Sequence, residues 1–154
     1  MLDNIDPTII VFVTLAVVAG IALAYKPPDY LGAWKLLADA FATDKRPRKI
    51  TFQDEHVFVG PNSLFNLKPS AAGFAQYDVE VDEEGLWLVY EGPEPQKSAP
   101  CMFIPGYRIK FERQKQTQYQ FSIDASERVG FTAYRELGET IKRRCLEAAG
   151  IQPE

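Results

Sequence analysis

From Thr8 to Tyr25 the chain reads TIIVFVTLAVVAGIALAY, with no charged position. As a helix this stretch spans roughly 27 Å, close to the roughly 30 Å hydrocarbon core of a bilayer. The pattern predicts a transmembrane helix over residues 8–25. Tyr25 and Lys26 suit a membrane interface, and Pro27-Pro28 cannot continue the hydrogen-bond ladder. Ala16, Gly20 and Ala24 fall one helical turn apart and predict a smooth face that another helix can approach closely. No ionisable group lies inside the stretch, so it reads as an anchor or packing surface rather than an ion pathway.

After the proline pair, Leu31, Trp34, Leu37 and Phe41 recur at three- and four-residue spacing, which predicts a short helix beginning at Asp29 or Tyr30. Its stripe, with Trp34 on it, is open to two readings: burial in a headgroup layer or packing on the domain's own core. From Ile50 to about Phe131 the period becomes two. Segments 49–53, 56–59, 74–81, 86–90, 101–105, 107–113 and 118–123 are rich in β-branched and aromatic residues and are bounded by turn formers. In 74–81, Ala75, Tyr77, Val79 and Val81 alternate with Gln76, Asp78 and Glu80, as expected of an antiparallel strand with one wet face. Asp82-Glu83-Glu84-Gly85 predicts a turn, and the run from Gly92 to Pro100 a loop. A last amphipathic helix is expected from about Ala133 to Ala149, with Tyr134, Leu137, Ile141, Cys145 and Ala148 on one face and Gly150 as its stop.

The expected class is therefore α+β: an N-terminal transmembrane helix, a small antiparallel β-barrel or sheet, and a C-terminal amphipathic helix. The organisation read from it is a tail over 1–7, the span over 8–25, a juxtamembrane helix and basic linker over 26–48, one domain over 49–150 and a tail over 151–154. Charge orients that layout. Residues 1–7 carry two acids and no base, residues 26–49 six bases against three acids, and residues 50–154 eleven bases against sixteen acids. An acidic start argues against a cleaved signal peptide, although Ala22-Leu23-Ala24 has the form of a cleavage site. By the positive-inside rule the N-terminus is expected outside and the domain in the cytoplasm, anchored by a single pass in a bacterial inner membrane. Tyr25, Lys26, Trp34, Lys45, Arg46, Arg48 and Lys49 are the candidate membrane-surface residues.

A net charge of −4 argues against nucleic acid as a partner. His56 is the only histidine, so no catalytic triad or histidine-based metal site can form except around it. Cys101 and Cys145, without a CxxC pair, are expected to be free, buried thiols rather than zinc ligands or nucleophiles. The acids of 80–84 lack the spacing of a calcium loop, and no glycine-rich phosphate loop occurs. Arg108 and Lys110 are expected on one strand face, where they make a candidate anion or lipid site, or a solvated face. No catalytic residue, cofactor or metal is expected, and an enzyme is the remote alternative.

Gly85-Leu86-Trp87-Leu88, followed by Met102-Phe103-Ile104-Pro105-Gly106-Tyr107-Arg108-Ile109, resembles a family of small bacterial single-pass membrane proteins. The resemblance runs from about Trp34, in an opening of Trp34, Leu37 and Ala38, to about Phe111, and departs at Gly106 and Tyr107, where the family often has Trp-Ser. It implies one anchor helix followed by a pleckstrin-homology/GRAM-like domain, with no assigned activity. A curled antiparallel sheet followed by one amphipathic helix is the element order of such a barrel, and the pattern alone also permits other small α+β folds. Two functions follow as expectations. The first is a non-catalytic accessory or scaffold subunit of a membrane complex, acting through protein–protein interaction with an integral membrane partner. The second is a module that binds the lipid bilayer surface.

Overall fold

The computed structural model describes residues 7–24, 29–61, 73–90 and 99–151, with side chains undescribed for 22–24. Among the described residues there are three α-helices, α1 (Pro7–Ala24), α2 (Tyr30–Phe41) and α3 (Arg135–Ala148). Seven strands lie between the last two: β1 (Phe52–Pro61), β2 (Phe74–Val81), β3 (Gly85–Val89), β4 (Cys101–Pro105), β5 (Ile109–Lys115), β6 (Gln118–Asp124) and β7 (Arg128–Tyr134). They form one antiparallel sheet in the order β4-β3-β2-β1-β7-β6-β5, curled into a half-barrel. The β-rich middle and the C-terminal helix expected from the pattern are both found.

The transmembrane expectation is corrected. Among the described residues no helix is long and apolar enough to cross a membrane. The single-pass anchor, the outside N-terminus and the inner-membrane location built on that span are withdrawn with it.

Strand assignment also shifts, for a local reason. The segments 49–53 and 56–59 are one strand, β1, broken in register between Phe52 and Glu55. Asp54 sits there with φ 54°, its N–H donating to Asp78 Oδ1 at 2.9 Å and its Oδ1 accepting from Gln76 Nε2 at 3.1 Å. The bulge resets the in–out alternation, so one strand reads as two. Conversely β7 is a strand that the pattern left inside the end of the β region, and α3 starts two residues later than expected. Gly106–Arg108 is a single 3-10 turn, which takes Arg108 out of the strand carrying Lys110.

The core lies on the concave side of the sheet. Val57, Tyr77, Val79, Leu88, Phe121 and Phe131 meet Leu137 and Ile141 of α3 there. α2 packs against β1, β4 and β7, while α3 packs against β5, β6 and β7. Asp29 caps α2 by accepting from Gly32 N at 2.7 Å. Ala33, Trp34 and Leu37 form its buried stripe, whereas Leu31 is 59 % exposed.

Candidate functional site, a cleft between a basic strap and an acidic turn

Residues 42–50 form a strap that leaves α2 and runs along the free edge of β4. Ala42 bridges Met102, Thr43 N–H donates to the Cys101 carbonyl at 3.1 Å, and Cys101 Sγ donates to the Lys45 carbonyl at 3.2 Å. Ile50 then packs on Trp87, Val89 and Cys101, a small apolar cluster on the convex face of the sheet. Tethered at both ends, the strap holds the basic run over a face that strand alternation alone would leave wet.

The opposing wall is the β2–β3 hairpin. Its turn is built by Asp82, whose Oδ1 accepts from the N–H groups of Glu84 and Gly85 at 2.9 Å each. Asp82 Oδ2 accepts from Trp87 Nε1 at 2.8 Å, which fixes the indole against Phe103 with ring centroids 4.4 Å apart. Glycine is required at position 85, because a Cβ there would lie 2.2 Å from the Ile104 carbonyl oxygen.

Between the walls is a cleft of about 880 Å³, lined by Lys45 to Lys49, by Glu80 to Glu84, by Trp87 and by Arg144 of α3. Lys45, Arg48 and Lys49 make no ion pair among the described residues, while Arg144 meets Glu147 at 3.4 Å. Glu80 is only 5 % exposed, and its Oε2 has no hydrogen-bond partner among the described residues. An unpaired buried oxygen costs about 1–3 kcal/mol, so such a group is uncommon in a settled core.

The other candidates separate. Trp34 is corrected from a membrane-surface residue to a core one: it is fully buried, its Nε1 donates to the Gly73 carbonyl at 3.1 Å, and its ring stacks on Tyr77 at 5.6 Å. Ala16 and Gly20 lie exposed on α1, and a Cβ at Gly20 would meet nothing within 4 Å. The side chain of Ala24, and all of Tyr25 and Lys26, lie outside the described residues. Arg108 and Lys110 are exposed but do not share a strand face; Arg108 lies over the Tyr107 ring and Lys110 is 3.8 Å from Glu112. Only Lys45, Arg46, Arg48 and Lys49 converge on one feature, and it is a cleft. Glu80, which the pattern placed on a wet face, is the residue that sequence reasoning missed. No local signal marks it, because the strap residues that share its cleft lie more than 30 positions away.

His56 is exposed on β1. Burial pushes the Cys101 thiol up, and pushes Cys145 up to about 11 despite a backbone hydrogen bond from Phe111. Among the described residues no three of His, Cys, Asp or Glu are grouped to hold a metal. Comparison with family models, with curated proteins and with solved structures gives no match.

Proposed function

We propose that this chain is a non-catalytic accessory module, whose half-barrel docks on a partner protein while α1 is covered by apolar surface that the partner supplies. The observation that carries this reading is the state of α1. Its large side chains, from Ile9 to Ile21, are between 53 and 67 % exposed, and they point to every side of the helix. A helix that is apolar all round belongs inside something. The seven-strand order followed by one packed helix supports the pleckstrin-homology-like reading of the domain, a scaffold suited to docking.

The test is purification through a C-terminal tag in a gentle non-ionic detergent, with and without residues 7–24. Stoichiometric co-purification of a defined protein, lost on that deletion, is the expected result. A full-length chain that purifies alone and monodisperse refutes the proposal. A second reading, a lipid-surface module, rests on Lys45, Arg48 and Lys49, which make no ion pair among the described residues. Flotation of the wild-type chain with anionic vesicles, lost on charge reversal at those three positions, is its expected result; a wild-type chain that does not float excludes it.

A further inference from the structure

We infer that the cleft between the strap and the β2–β3 turn binds a small phosphate ester carrying a primary ammonium group, with the ammonium donating to Glu80 and the phosphate held by the strap.

The two walls carry opposite charge, and the groups left over on each wall differ in kind. On the acidic wall Asp82 is fully engaged, its two oxygens accepting from Glu84 N, Gly85 N and Trp87 Nε1. Glu80 is not: it lines the cleft, is 95 % buried, and keeps Oε2 without a donor among the described residues. A buried carboxylate oxygen asks for an N–H or O–H donor, and a cationic one binds it most strongly. A quaternary ammonium has no N–H and cannot satisfy it. On the basic wall, Lys45, Arg48 and Lys49 place three charges, without an ion pair among the described residues, within one five-residue segment. Three bases match a phosphate better than a carboxylate, since a phosphate offers more charge and more acceptor oxygens. A ligand with both ends therefore answers both walls at once. Its volume is well within the 880 Å³ of the cleft. The same chemistry is carried by free phosphoethanolamine and by the headgroup of an ethanolamine phospholipid.

The experiment is isothermal titration of the full chain, in non-ionic detergent, with O-phosphoethanolamine, O-phosphocholine and inorganic phosphate. O-phosphoethanolamine is expected to bind at least tenfold more tightly than O-phosphocholine, which has the same phosphate but no N–H. Glu80→Met should abolish that difference while leaving the weaker phosphate binding. Arg48→Ala/Lys49→Ala, on the exposed strap, should weaken all three probes and keeps the test decisive if the buried substitution disturbs folding. Equal binding of the two esters, discrimination that survives Glu80→Met, or no binding of either ester at millimolar concentration each overturns the inference. The source is then read from vesicles. More wild-type than Glu80→Met chain on phosphatidylethanolamine vesicles, with no difference on phosphatidylcholine, assigns the headgroup; ester binding without that vesicle difference assigns a free metabolite.

Discussion

Replacing Trp34 separates the two readings of the α2 stripe. The side chain is fully buried, and an indole takes about 150–250 Å² out of water, which at about 25 cal/mol per Å² corresponds to roughly 4–6 kcal/mol. That range is an upper bound, because an unfolded chain already hides part of its apolar surface, and measured Trp→Ala changes cost about 3–5 kcal/mol. Trp34→Ala is therefore expected to lower unfolding free energy by about 3–5 kcal/mol. Trp34→Phe keeps most of the ring but leaves the Gly73 carbonyl, now paired with Nε1 at 3.1 Å, without its donor. An orphaned buried acceptor costs about 1–3 kcal/mol, so the phenylalanine variant should fall between wild type and alanine. Urea unfolding of the full chain in mild detergent, followed by far-UV circular dichroism, measures both. A loss below about 1 kcal/mol for Trp34→Ala would refute the core assignment, since that is the range of a surface substitution.

Glu80→Met should raise stability by about 1–2 kcal/mol in ligand-free urea unfolding, because it removes a buried oxygen that has no partner among the described residues; a loss of stability would show that the oxygen is satisfied in solution. Gly85→Ala should cost about 2–3 kcal/mol, since the new Cβ meets backbone at 2.2 Å, whereas Gly106→Ala, with its nearest atom at 3.5 Å, should cost under about 1 kcal/mol. Similar unfolding midpoints for the two would contradict the hairpin packing. For Cys145 the native thiol is raised above its unfolded value of 9.0 to about 11. The unfolded chain thus releases this proton first, so the contribution is fully present below pH 9 and is lost as pH rises towards 11. The difference in unfolding free energy between wild type and Cys145→Ala should therefore shrink across that window, and alkylation of Cys145 at pH 8 should be slow; rapid labelling would place the thiol at the surface.

Much of the fold is legible in residue order because the two periodicities are local. Tyr77, Val79 and Val81 announce β2, and Leu137 and Ile141 announce α3, from neighbours within a few positions. The errors occur where a non-local contact overrides the local pattern. Asp54 breaks the alternation of β1, and its bulge is stabilised by Asp78 and Gln76 of the next strand. Trp34 carries a polar N–H that suits an interface as well as a core, and only the Gly73 carbonyl decides between them. The cleft shows the same limit. Its basic run and its acidic turn are each conspicuous in the sequence, and each has an ordinary explanation alone. They become one feature only because Thr43, Cys101 and Ile50 tie the strap across the sheet. The apolar segment shows a different limit: hydropathy describes what α1 must avoid, which is water, without stating what covers it.

Phe58 is the register partner of both Phe74 in β2 and Thr132 in β7, so β1 is shared between the two halves of the curl. Its consequence is kinetic. The groups β2-β3-β4 and β5-β6-β7 are meanders of sequence neighbours, whereas pairing β1 with β7 closes a loop of about 70 residues, and the entropy of that closure is met before the contact is rewarded. The two meanders should therefore form early and the β1–β7 seam late. Substitutions at Val59 and Phe131, which face each other across that seam, should mainly accelerate unfolding; an equal slowing of refolding would place the seam in the folding nucleus. The lifetime of the folded half-barrel, more than the rate at which it forms, is then sensitive to this one strand pairing.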